Sequence, residues 1–225
     1  MPSQLDPRLR SFLLRLPLAG AAALAVWFFG GISAPWTRAV IAVAETGIRS
    51  LERPPTTFVK LDDAGTVEYW RSDFSTRSSR PARDPAALTG NLVFLLTLLW
   101  ATPGKTTGTS LARAAAAVLL LLASQALHLA LAVETTWATD LGAWSEYAYP
   151  RWQREAFAAG RYFFDIAGRF ALPPFLWGLL VVVPRLTEDA AAAAAAEATD
   201  AAGTGHASRR KENAAPRGAR RRRGR

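Results

Sequence analysis

The stretch ARAAAAVLLLLASQALHLALAV, residues 112–133, decides the fold of this chain. It carries a single charge, Arg113, and as a helix it would be about 33 Å long at a rise of about 1.5 Å per residue. The hydrocarbon core of a bilayer is about 30 Å thick. Residues 112–133 are therefore predicted to form a helix that crosses a membrane.

Three further apolar stretches accompany this one, at residues 12–32, 88–101 and 157–183. The first is long enough to cross a bilayer, the second is short, and the last is interrupted by charges. The sequence thus predicts a mainly α-helical, polytopic membrane protein with about four transmembrane helices. It should also carry a small periplasmic helix-plus-hairpin element and a disordered basic tail at its C-terminal end.

Composition and charge divide the chain into four predicted regions. The order is a membrane anchor at 1–33, a periplasmic segment at 34–87, a bundle of three helices at 88–185, and an Ala-rich then Arg-rich tail at 186–225. The anchor also resembles a signal peptide with a small-residue cleavage site at Ala34. Because Pro35 would follow that cut directly, an uncleaved anchor is the favoured interpretation.

The net charge of +9 belongs almost entirely to the tail, since residues 205–225 carry +8 of it. Its arginines are expected to contact anionic lipid headgroups, with RNA binding as the alternative, and no specific nucleic-acid partner is expected. Cysteine is absent, which excludes disulfides, thiolate metal sites and a cysteine nucleophile. Two histidines, His128 and His206, are too few to indicate a metal or haem site, so no cofactor is predicted.

Charge asymmetry between the loops predicts the orientation. Arg8, Arg10 and Arg15 lie before or at the start of the first apolar stretch, and Lys105 and Arg113 lie in or just after the connection between the second and third. The segment 134–156 is acidic by four residues to two, and the tail is basic. Basic segments stay in the cytoplasm, so both termini are predicted to be cytoplasmic in a bacterial inner membrane.

The segment 34–87 has the pattern of a small folded element. Residues 36–48 are amphipathic and could lie as a helix on the outer leaflet, while residues 57–61 and 66–70 flank a turn at Asp62 and Asp63, which predicts a β-hairpin. Turn formation explains the two aspartates better than a metal or acid–base pair. Residues 71–85 are predicted to be a flexible loop. An isolated hairpin needs a packing surface, which is either the amphipathic helix or a partner. The residues expected to contact a partner are Phe58, Leu61, Val67, Tyr69 and Trp70.

Two sets of polar residues lie within the apolar stretches. Gln125 and His128 share a face of the third stretch, and Arg161, Asp165 and Arg169 follow one another at intervals of four in the last. A structural interpretation makes the first set an interhelical hydrogen-bond cluster and places the second at the membrane interface. The alternative is a functional polar face that binds a lipid headgroup or a peptide.

This arrangement resembles the exosortase/archaeosortase membrane family, and more closely the small membrane proteins associated with exosortases. The resemblance covers residues 56–183. The enzymes of that family have a catalytic cysteine near the outer start of one span, an Asn-x-x-Arg motif in the next, and a further basic residue. The corresponding positions here are Thr89-Gly90-Asn91 without cysteine, Gln125-x-x-His128, and Arg161.

The missing nucleophile removes the thiol chemistry by which those enzymes process C-terminal sorting signals. The resemblance therefore implies a non-enzymatic accessory or scaffold protein of an exosortase-type protein-sorting system, with membrane lipids and an exosortase-type protein as partners, and no catalytic residue is assigned. Two alternatives remain open. One is a membrane enzyme that acts on a lipid-linked or peptide substrate at the outer leaflet, and the other is a transporter subunit.

Overall fold

A computed structural model describes residues 6–74, 80–103 and 107–196, and these residues are mainly helical with one small sheet. The chain divides into two compact units at Val182. The elements, in chain order, are α1 (Pro7–Phe28), α2 (Ser33–Leu51), β1 (Thr57–Leu61), β2 (Val67–Arg71), β3 (Ala82–Arg83), α3 (Pro85–Thr89), α4 (Asn91–Ala101), α5 (Gly108–Thr139), α6 (Ala143–Ala148), α7 (Arg151–Phe163), a π-helical turn (Phe164–Gly168), α8 (Leu172–Trp177) and a second π-helical turn (Gly178–Val182).

Among the described residues, the two helices α1 and α5 are long and apolar enough to cross a membrane. The helical segments Arg151–Gly168 and Leu172–Ala196 meet at a bend of 69°. They give a third candidate span if the two segments cross the membrane together as one broken helix. The structure therefore supports two spans, or up to three, and the four-span prediction is not confirmed. The short predicted span falls on α3 and α4, which together cover Pro85–Ala101.

Side-chain caps and proline fix where these helices begin. Asp6 accepts a hydrogen bond from the Arg8 backbone at 2.7 Å, and Asp84 accepts one from the Ala86 backbone at 2.8 Å. A proline follows each aspartate, where its missing N–H costs no hydrogen bond. α5 begins with a reciprocal capping box between Thr107 and Ser110. These local signals fix where α1, α3 and α5 begin independently of tertiary packing.

The predicted amphipathic helix is α2, and its existence is confirmed. Its apolar face, which includes Val40, Ile41, Ala44 and Ile48, is buried in a core shared with α5 and the sheet. The suggestion that this helix lies on the outer leaflet is therefore wrong for that face. The sheet and α5 bury the face more completely than a lipid surface would, because they contact it on two sides.

The predicted hairpin is confirmed as β1 and β2, which pair antiparallel with Val59 opposite Tyr69. The turn is held by Asp62, whose carboxylate accepts from the Thr66 backbone at 2.6 Å, and by Gly65 at a φ of +80°. A third short strand, β3, pairs with β2. The prediction of a loop over 71–85 was thus wrong at β3, whose two residues are too few to give a strand signal.

The inner face of the sheet packs against the end of α5. Tyr69 contacts the ring of Trp137 edge-on at 5.6 Å, and its hydroxyl and that of Thr136 are hydrogen-bonded at 3.0 Å. Phe74 also contacts Trp137 edge-on, with the ring centroids 6.2 Å apart. Trp137 is 2% exposed. The sheet is therefore attached rigidly to α5.

The last apolar stretch is broken, as its two prolines suggest, but the break lies about one turn before them. The break falls at residues 169–171, and Pro173 and Pro174 lie in the first turn of α8, where proline is tolerated. The second unit, from Val182, continues as a helix to residue 196, as the alanine-rich composition predicts. The predicted disorder of the arginine-rich tail, 205–225, lies outside the described residues.

Candidate functional site

A chain of side-chain hydrogen bonds links four elements through Gln125. The indole Nε1–H of Trp36 on α2 donates to Gln125 Oε1 at 2.7 Å, and Gln125 Nε2 donates to Asn91 Oδ1 on α4. Asn91 Nδ2 in turn donates to the carbonyl of Gly168 at 3.4 Å. Gln125 is 2% exposed, so its amide is shielded from solvent and finds its hydrogen-bond partners within the protein.

His128 lies one turn further along α5 and contacts the first π-helical turn. Its Nε2–H donates to Asp165 Oδ1 at 2.9 Å, and its ring stacks on Phe164 with the centroids 5.6 Å apart. A glycine at position 168 allows the Phe164 ring to take this position, because a Cβ there would lie only 2.6 Å from the ring. The imidazole of His128 is buried, whereas the side chain of Asp165 is 41% exposed.

Two arginines neutralise Asp165, and one of them is not in the predicted set. Arg161 approaches Asp165 Oδ2 at 3.5 Å, and Arg83 on β3 approaches Oδ1 at 4.0 Å. Among the described residues Arg169 forms no ion pair with Asp165, and its guanidinium lies over the Phe170 ring at 5.6 Å. The predicted Arg–Asp–Arg ladder is therefore wrong at Arg169, because the π-helical turn between the two residues disrupts the spacing of four that an α-helix would align.

A small cavity joins the two hydrogen-bonded groups. It has a volume of about 10 Å³, room for about one water molecule, and its lining includes Asn91, Ser124, Gln125, His128 and Arg169. Gln125, His128 and Arg169, which the sequence predicted as polar site residues, thus line the same cavity. Its size leaves no room for a substrate in this conformation.

The five residues predicted to bind a partner lie on two different faces of the sheet. Val67 is fully buried and Tyr69 is 3% exposed, so their side chains belong to the core and a partner does not reach them. The prediction was wrong for these two, since alternation along a strand places neighbours on opposite faces. Leu61 is the cross-strand neighbour of Val67 and packs partly against the same core. Phe58 and Trp70 are partly exposed and stay available.

The outer face of the sheet carries a stacked aromatic pair flanked by arginines. Phe58 and Trp70 are cross-strand neighbours whose rings stack at 5.6 Å, with Arg49 4.9 Å from the first ring and Arg80 4.6 Å from the second. We call these four residues the aromatic–arginine patch. Partly exposed aromatic and arginine side chains are the types enriched at protein interfaces.

A second polar cluster lies where α2, β2 and α5 meet. Glu52 accepts from the backbones of Thr56 and Thr57 at 2.8 and 2.9 Å, and Arg71 lies 3.5 Å from it. Arg71 also pairs with Asp73 at 2.9 Å, and this hydrogen bond holds the pKa of the Asp73 carboxyl below its ordinary value. The phenol of Tyr149 donates to Glu134 at 3.0 Å, and burial together with that carboxylate raises the pKa of Tyr149.

Sequence patterns missed Trp36, Asn91 and Arg83 as members of these contacts. Asn91 begins a helix inside a short apolar stretch, and such an isolated amide is the one signal that could have indicated a buried partner. Among the described residues no group of three or more His, Asp or Glu side chains is placed to hold a metal ion. Comparison of the chain with protein-family models, curated proteins and solved structures gave no match.

Proposed function

We propose that this chain is a non-enzymatic accessory protein that anchors and presents a docking surface for a protein-sorting complex at the membrane. The observation that carries the proposal is the attachment of the sheet to α5. Tyr69 and Trp137 fix the inner face, while the aromatic–arginine patch on the other face stays partly exposed. A rigid element with one free aromatic face is suited to binding a partner, because little conformational entropy is lost on association.

The polar groups near the membrane helices fit a structural role. Gln125 connects Trp36 and Asn91, and His128 and Asp165 satisfy each other with help from Arg161. Hydrogen bonds of this kind between membrane helices contribute about 0.6 kcal/mol on average. They fix the packing of the bundle on which the sheet is mounted.

The partner that we propose is an exosortase-type membrane protein, from the resemblance over residues 56–183. The test is co-purification in mild detergent of the full chain with the exosortase-type protein of the same organism. Recovery of a stoichiometric complex is the expected result. Failure to co-purify when both proteins are abundant in the membrane would contradict the proposed partner.

We further propose four membrane passages, with both termini in the cytoplasm of a bacterial inner membrane and the sheet in the periplasm. The short α3–α4 pair then serves as the second passage, and α8 begins the fourth. Reporter fusions after Arg185 and within residues 102–111 are expected to be active only with a cytoplasmic reporter. A fusion within residues 72–84 should be active only with a periplasmic reporter. Cytoplasmic activity of that fusion would contradict this topology.

A second candidate function, a membrane enzyme acting on a lipid-linked or peptide substrate, is favoured by one contact. His128 donates to Asp165 beside a cavity, which is how a carboxylate orients a general base. The replacement His128→Gln separates the two functions, since glutamine keeps an N–H donor but cannot transfer a proton. We expect near-normal function in a complementation assay at equal membrane abundance. A loss of about 10²–10⁴-fold in activity would instead establish the enzyme.

A further inference from the structure

A groove of about 780 Å³ lies between α2, α5 and α7. Small side chains on the two longer helices form much of its wall, among them Ala44, Gly47, Ala126 and Ala130. Leu127 and Leu51 also line it and are 51% and 86% exposed, so apolar side chains continue from the groove to the surface. Its volume is in the range of sites that bind small molecules.

The groove follows α5 over a length that matches one leaflet. Along α5 its lining begins at Ala123 and ends at Glu134, a distance of about 16 Å at about 1.5 Å per residue. Half of a hydrocarbon core about 30 Å thick is about 15 Å. Glu134 is also the first charged residue after the apolar stretch 112–133. The apolar part therefore lies at the depth of acyl chains, and Glu134 lies at its boundary.

The end of the groove is polar and carries excess negative charge. Its charged lining residues are Glu52, Arg71 and Glu134. Arg71 is already paired with Glu52 and with Asp73, whereas Glu134 has no ion pair among the described residues and accepts only from Tyr149. A carboxylate in this position complements a cation, and it disfavours an anionic headgroup.

We propose that this groove binds one acyl chain of an aminophospholipid of the phosphatidylethanolamine type, with the ammonium group beside Glu134. The length of the groove accommodates the chain, and the charge at its end selects the headgroup. The site is independent of the partner proposed above, because neither Phe58 nor Trp70 lines the groove. Its failure would leave the accessory role untouched.

Photo-crosslinking in nanodiscs tests the proposal. The full chain is placed in equal amounts of phosphatidylethanolamine and phosphatidylglycerol, with a trace of either lipid carrying a diazirine on its acyl chain. We expect crosslinks to α2 and α5 with the ethanolamine lipid in about tenfold excess, a ratio that corresponds to about 1.4 kcal/mol. Equal labelling by the two lipids, or an excess of the glycerol lipid, would overturn the headgroup assignment.

One variant and a matched control locate the acyl-chain site. Gly47→Leu should abolish the crosslinks, because a Cβ at Gly47 meets no atom within 4 Å and the new side chain has room to fill the groove. Gly178→Leu makes the same change at a helical glycine that also has open space but does not line the groove, and it should label like the wild type. Unchanged labelling of Gly47→Leu would overturn the acyl-chain site.

Glu134→Gln tests the headgroup separately from the chain. Glutamine keeps an oxygen that accepts from Tyr149, so the fold should persist, and total crosslinking should stay the same while the two lipids label equally. A preserved tenfold preference would contradict the role of Glu134.

Because the chain has no cysteine, Gly47→Cys also tests whether a second copy of the chain occupies the groove instead. A disulfide-linked dimer in membranes would place a second copy in the groove and overturn the lipid proposal.

Discussion

Trp137→Ala is expected to lower the free energy of unfolding by about 3–5 kcal/mol, the usual cost of removing a buried tryptophan. The ring is 2% exposed and contacts Tyr69 and Phe74, so its removal leaves a void between the sheet and α5. Its Nε1 has no hydrogen-bond partner in the described part of the chain, so the loss is one of packing. Denaturant titration in detergent, followed by fluorescence of the remaining tryptophans, measures the change.

Trp152→Ala is the matched control for this prediction. Trp152 lies on α7 and is 67% exposed, so the same substitution should change the stability by less than about 0.5 kcal/mol. We also expect limited proteolysis to cut the β1–β2 segment faster in Trp137→Ala alone, because the sheet loses its attachment. Equal stability of the two variants would show that the sheet is not held by Trp137.

The double substitution Phe58→Ala and Trp70→Ala is expected to abolish partner binding at unchanged protein abundance. Truncation of a central aromatic residue in an interface commonly costs 2 kcal/mol or more, which is a factor of about 30 in affinity. Both rings are only partly buried, so the fold should tolerate their removal better than that of Tyr69. Co-purification with the partner, quantified by immunoblot, reports the loss.

Tyr147→Ala provides the comparison for the double variant. Tyr147 is another aromatic residue outside the candidate spans, in α6, and is 93% exposed, but it lies outside the aromatic–arginine patch. It should bind the partner as the wild type does. Loss of binding in Tyr147→Ala together with normal binding in the double variant would move the interface away from the patch.

Local patterns predicted the elements of this fold well. The amphipathic spacing of residues 36–48 gave α2, and the alternation around Asp62 and Gly65 gave the hairpin, because both signals depend on neighbouring residues. The short strand β3 escaped detection. Its two residues pair only because β2 presents a free edge, which is a tertiary property.

The candidate site was also predictable in part, because some of its residues are near neighbours along one helix. Gln125 and His128 could be assigned to one helix face from their spacing, and Asp165 could be placed near Arg161. Their partners Trp36, Asn91 and Arg83 come from distant parts of the chain, and no periodicity connects them. Arg169 was misplaced because a π-helical turn cannot be inferred from a sequence that is compatible with a regular α-helix.

We propose that the outer face of the sheet, and not the imidazole of His128, carries the function. One complementation experiment tests it directly, with a strain lacking the gene, surface display of sorted proteins as the readout, and membrane abundance checked for each variant. The Phe58→Ala and Trp70→Ala double variant is expected to fail, and His128→Gln is expected to restore display to near the wild-type level. Normal display with the double variant and full loss with His128→Gln at equal abundance would contradict the account.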